Sequence, residues 1–121
     1  MKRDMDLIRD LLLSLEAGDE GVGSLLDVES KGYTKEQIGY HSWLLVDAGL
    51  ALGVDATHLG SVFREVHLTS LTWSGHEFLD AARDDTRWQQ AKMMMNKAGA
   101  FALPALMKVL IDLAVKGALG S

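Results

Sequence analysis

Between Gly49 and Leu71 the hydrophobic period of the chain changes from three-to-four to two, and helix-start signals bracket the change on both sides. Leu50, Leu52 and Val54 alternate with Ala51, Gly53 and Asp55. After a turn near His58-Leu59-Gly60, Arg64, Val66 and Leu68 alternate with Glu65, His67 and Thr69. Two alternating runs around a short polar turn predict a β-hairpin. Upstream, Thr34 and Gln37 form a T-x-x-Q capping box, with Tyr33 and Ile38 placed as a hydrophobic staple. Downstream, Ser74 and Glu77 form S-x-x-E, with Trp73 and Phe78 as a second staple. A hairpin fixed between two capped helices leaves few fold classes open.

The flanking segments extend this frame. Met5, Ile8, Leu12 and Leu15, widened by Leu7 and Leu11, predict a helix over 5–17 that ends at the Gly18–Gly23 loop. Those glycines follow a helix, lack a lysine after them and carry two acids, so they read as a turn and not as a phosphate cradle. Leu25–Glu29 has room only for a short strand. The helix begun at Thr34 runs through Ile38, His41, Leu44, Leu45 and Ala48 to Gly49. After Phe78, Leu79 and Ala82 the helical pattern continues or restarts through Asp84-Asp85 to Trp88 and the methionines. Gly99 ends it, and Pro104 suits the first turn of a last helix ending near Gly117.

The order is helix, short strand, helix, hairpin, helix, helix. It predicts an α+β, mainly α fold: a winged-helix (helix-turn-helix-like) variant with a β-hairpin wing and two additional C-terminal helices. The departure is that no room remains for a separate first helix of the helix-turn-helix. The expected organisation is a winged-helix-like domain over 1–84 and a helical extension over 85–121, together one compact body.

Within this frame the chain resembles a family of small phage and prophage proteins known as a domain of unknown function. The resemblance rests on Met1-Lys2-Arg3-Asp4-Met5-Asp6-Leu7-Ile8-Arg9, on Ile38-Gly39-Tyr40-His41 with Leu44-Leu45 and Ala48-Gly49-Leu50, and on Leu71–Asp80 running on to Arg83-Asp84-Asp85 and Trp88. It implies a winged-helix-like fold and a mobile-element origin, and it implies no activity. Many bacterial regulators share the looser Leu-Leu, Ala-Gly-Leu pattern, which by analogy points to DNA; fold alone does not fix function.

If the wing layout serves DNA, the helix after Thr34 enters the major groove. Lys35, Gln37, Tyr40 and Ser42 would then reach bases, with Lys31 beside them and Arg64 on the wing. Charge opposes this. Residues 1–90 hold eight Lys/Arg against sixteen Asp/Glu, whereas 91–121 hold four against one. The cations Lys31, Lys35 and Arg64 stand among Glu36, Asp47, Asp55 and Glu65, a weak phosphate clamp. The competing class is therefore a module that binds a host or phage protein without contacting DNA, and between the two the layout favours, by a narrow margin, a non-enzymatic DNA-binding transcriptional regulator of phage or prophage type.

Other chemistry finds little support. His41, His58, His67 and His76 lack the spacing of metal-binding helices, so neither a metal nor another cofactor is expected. Asp84 and Asp85 diverge on a helix, Ser74 is used as a cap, and no nucleophile elbow is present, so no catalytic set is expected. Trp73 and Trp88 are assigned to packing, while Trp43 is the tryptophan expected to be exposed. With no cysteine, no leader-like start and no span of about 18 apolar residues, a cytoplasmic, non-membrane protein is expected.

The last helix carries only Lys108, Asp112 and Lys116 as polar residues beyond Leu103, all on one narrow stripe. Such a helix is either sandwiched in a core or shared between chains. The expectation is a homodimer through Leu103, Leu106, Met107, Leu110, Ile111 and Leu113.

Overall fold

A computed structural model describes residues 1–18, 31–99 and 102–120. Its elements are α1 (Met5–Ala17), α2 (Lys35–Asp47), β1 (Ala51–Asp55), β2 (Val66–Leu71), α3 (Trp73–Ala82), α4 (Asp85–Ala98) and α5 (Leu103–Gly120). The chain is α+β and mainly helical, with one antiparallel hairpin, in a winged-helix-like arrangement. The short strand expected over Leu25–Glu29 lies outside the described residues. Contacts divide the chain into two compact units, Met1–His76 and Glu77–Ser121. The division falls within α3, whereas the sequence reading placed it at the break between helices after residue 84.

In the first unit, α1 starts where Asp4 Oδ1 accepts the amides of Asp6 at 2.9 Å and Leu7 at 3.2 Å. That cap satisfies two of the donors a helix start leaves open. Leu7, Ile8, Leu11, Leu12 and Leu15 form its buried stripe, and α1 packs on α2 and β2. The capping box of α2 is complete: Thr34 Oγ1 accepts the Gln37 amide, and Gln37 Oε1 accepts the Thr34 amide. Gly49, at φ +77°, turns the chain out of α2 and into the hairpin.

The hairpin presents the opposite face from the one its larger side chains suggest. Ala51 is buried, while Leu52 and Val54 point to solvent. The cause is close packing beneath β1. A Cβ on Gly53 would meet the His67 carbonyl oxygen at 2.8 Å and Val46 Cγ2 at 3.3 Å, so only the Ala51/Gly53 side fits inward. The pairing shifts register between Leu52 and Gly53, with Leu52 opposite Ser70 and Gly53 opposite Leu68. Such an irregularity strengthens local twist.

The start of α3 also corrects the sequence reading. Thr72, not Ser74, is the cap: its Oγ1 accepts the Gly75 amide at 3.0 Å and donates to the Gly49 carbonyl at 2.5 Å. The helix therefore begins at Trp73, whose side chain is 81% exposed and forms no staple. The earlier start lets Gly75 lie against the Leu50 carbonyl, where a Cβ would have no room.

In the second unit Phe78, Leu79 and Ala82 are buried, and Phe78 meets Trp88 edge to face at 6.2 Å. The helix does restart: Asp84 Oδ1 accepts the Arg87 amide at 2.8 Å, opening α4. Gly99, at φ +74°, ends α4 as expected. α4 and α5 pack on one another. No helix among the described residues is long and apolar enough to cross a membrane.

Candidate functional site

The residues expected to read DNA lie on α2, just before it, and on the segment that leads into β2. Lys35 is exposed in the first turn of α2. Gln37 is half-buried, with its side-chain Oε1 already accepting the Thr34 amide in the capping box. Tyr40 stacks on Trp43, with centroids 6.1 Å apart and planes inclined by 24°, and meets His41 edge-on. Ser42 does not face outward. It is buried, and its Oγ has no hydrogen-bond partner among the described residues. The outward projection assumed for Ser42 is therefore corrected, and with it any direct contact to a base.

The cations are held by their surroundings. Arg64 lies over the Trp43 ring at 4.4 Å and reaches Asp55 Oδ2 at 3.3 Å. Trp43 is accordingly half-buried between Tyr40 and Arg64, and not the exposed ring that was expected. The Asp55 carboxyl sits below its ordinary pKa, chiefly because Thr57 donates hydrogen bonds to it, with Arg64 adding to the effect. Lys31 Nζ is 3.1 Å from Asp10 Oδ1.

Backbone packing explains why α2 and the wing meet here. A Cβ on Gly39 would collide with the Arg64 carbonyl oxygen, so glycine permits the chain to cross directly over the helix. Beside this crossing lies a shallow, mainly apolar cleft of about 180 Å³, lined by residues including Lys35, Ile38, Phe63 and Val66. A glycine inside an otherwise good helix is a signal for such an approach. The Tyr40–Trp43–Arg64 stack had no comparable signal, because it joins α2 to a segment more than twenty residues away.

The wing tip is held by side-chain-to-backbone hydrogen bonds. Thr57 N–H donates to Asp55 Oδ1, His58 N–H to Ser61 Oγ, Gly60 N–H to His58 Nδ1, and Glu65 N–H to Thr57 Oγ1. From this loop Leu59 and Val62 project almost fully into solvent. Among the described residues, no three His, Asp or Glu side chains are grouped so as to hold a metal ion.

The expected dimer residues separate into two sets. Leu106 and Leu110 are fully buried within the chain, and Leu103 and Leu113 are half-buried. Leu106 and Leu110 therefore cannot serve a second chain, a correction that follows from α5 using this stripe within its own fold. Ile111 is 46% exposed, and Met107 is half-buried.

A family described as a hypothetical protein, DUF2513, matches residues 2–101. An uncharacterized protein of Haemophilus influenzae (strain ATCC 51907 / DSM 11121 / KW20 / Rd) is 41% identical over 110 residues, covering 90% of this chain and 92% of its own. No solved structure matches. Apart from Met1, the family match takes in the three stretches of resemblance and both glycine crossings, at Gly39 and Gly75, and on it the chain belongs to the DUF2513 family.

Proposed function

We propose that the chain is a non-enzymatic, winged-helix-like module that binds protein, not duplex DNA. The observation that carries this is the state of Arg64, the wing cation, whose guanidinium is shared between the Trp43 ring and the Asp55 carboxylate. A phosphate would have to compete with both. Lys31 is likewise paired with Asp10, and Ser42 is buried. α2 itself offers Lys35 against Glu36 and Asp47, so its charge is acidic by one. A wing that shows Leu59 and Val62 on a hydrogen-bonded loop suits an apolar pocket on a protein better than a phosphate backbone.

A second reading, a DNA-binding transcriptional regulator, is favoured by the winged-helix-like layout and by Lys35 standing exposed at the start of α2. A cytoplasmic setting, a phage or prophage origin and self-association as a homodimer belong to either reading. The deciding experiment is fluorescence anisotropy with random-sequence duplex DNA at about 50 mM and about 200 mM salt. Flat curves at both salts are expected. Binding that weakens steeply between them overturns the protein-binding reading in favour of the regulator.

A further inference from the structure

α5 carries two hydrophobic seams where one suffices for a helix packed on one side. Leu103, Leu106, Leu110 and Leu113 step by three, four and three residues along the inward stripe, with Leu106 and Leu110 fully buried and Leu103 and Leu113 half-buried. Pro104, Met107, Ile111, Ala114 and Ala118 repeat the same three-four spacing on the adjoining flank. On this second seam and beside it, Ile111 is 46% and Val115 51% exposed, and Pro104 and Ala118 are exposed as well. Alternating steps of three and four are the spacing by which one helix packs against another, so the seam has the form of a helix-binding surface.

We propose that this second seam binds the same seam of a second copy of the chain, with the two α5 helices antiparallel. Charge selects both the partner and its direction. Lys108 flanks the seam on one side, and Asp112 lies further round on that same side. A parallel, in-register pair puts the two copies of that flank on opposite sides of the interface, where Lys108 and Asp112 gain no partner. An antiparallel pair with Met107 opposite the second copy's Ile111, and Pro104 opposite its Ala114, brings Lys108 near the second copy's Asp112, and the two-fold axis repeats the contact. Ala114 and Pro104 are small, which lets the helices approach where they cross. The pairing uses none of the leucines already buried, so it adds a contact without unfolding one.

This inference goes beyond the protein-binding reading and fails separately from it: DNA titration tests that reading, and molecular mass tests this one. Sedimentation velocity between about 5 µM and about 500 µM should show a mass rising from 13.2 kDa toward twice that value. Ile111→Lys with Val115→Lys should raise the dissociation constant about a hundredfold and leave helical circular dichroism unchanged. Leu59→Lys with Val62→Lys, on the wing, should leave the mass unchanged. Since the chain has no cysteine, engineered thiols report direction. In the antiparallel pair Ala114→Cys lies about 15 Å from its own copy, beyond the roughly 7 Å limit for a disulfide. It should therefore stay monomeric on denaturing gels after diamide oxidation, whereas Pro104→Cys with Ala114→Cys should cross-link. A chain that remains 13.2 kDa throughout, a dimer that survives the lysines on α5, a dimer lost with the wing lysines, or cross-linking by Ala114→Cys alone each overturns the proposal.

Discussion

The imidazole of His41 accepts the backbone amide of Asp4 at Nε2, 2.8 Å away, while its Nδ1 lies 2.8 Å from the Gln37 carbonyl oxygen. A carbonyl only accepts and an amide only donates, so the pair of contacts fixes the neutral tautomer with the proton on Nδ1. His41 is buried on α2, and Asp4 is the cap of α1. One ring thus ties the first turn of α1 to the helix it packs against, a role far from the metal ligand or surface contact that histidine otherwise suggests.

Replacing His41 tests that tie. His41→Ala leaves the Asp4 amide without its acceptor and opens space beside the α1–α2 contact, and the expected loss is about 2–4 kcal/mol of unfolding free energy. His41→Phe restores ring volume but not the acceptor, so it should recover part of that loss. Urea denaturation followed by circular dichroism measures both. Equal stability of all three proteins would mean that the hydrogen bond contributes nothing.

Two glycines in helices predict opposite outcomes. Gly39→Ala drives a methyl group into the Arg64 carbonyl, which must move, so the expected cost is about 2–4 kcal/mol and a lowered thermal midpoint. Gly117, near the end of α5, has nothing within 4 Å of where its Cβ would stand. Gly117→Ala should therefore stabilise the helix, by up to about 1 kcal/mol. Thermal unfolding of the pair, measured side by side, checks the sign of each.

These cases also mark what the sequence makes legible. The Thr34 box, the Gly49 and Gly99 helix ends and the hairpin follow from local chemistry, and each is where the pattern predicts. Ser74 misled because Thr72, two residues earlier, can cap equally well, and its hydroxyl is drawn to the Gly49 carbonyl by the tertiary fold. The inverted face of β1 depends on how closely α2 packs on the strand, and the burial of Ser42 is likewise a matter of tertiary packing. Period alone assigns residues to faces without saying which face is inside. For α5 the sequence showed too much apolar circumference, and the structure distinguishes the stripe the chain uses from the seam it leaves exposed.

Tyr33 should titrate late. Burial raises its phenol above the ordinary value, and the carboxylates of Asp4, Asp10 and Asp6 add to the effect in that order. A raised folded-state pKa means that this group's contribution to stability is complete below the unfolded value, near 10. It is lost as pH rises through the folded value. Absorbance at alkaline pH should resolve Tyr33 as the component missing from Tyr33→Phe, and stability of the wild type should fall more steeply above about pH 10 than that of the variant. Identical alkaline stability curves would remove the linkage.

Ser42 separates the structural reading from the DNA reading in a single substitution. Its hydroxyl is buried without a partner among the described residues, and burying an unmet polar group costs free energy. Ser42→Ala removes that group at almost constant volume, so stability should stay level or rise by up to about 1 kcal/mol. Were Ser42 instead a base-reading residue, the same change would leave stability alone and weaken binding at one position of a target sequence. Chemical denaturation paired with the duplex titration distinguishes the two. A gain in stability with no change in an already flat titration is the outcome expected for a buried hydroxyl that meets neither a partner nor DNA.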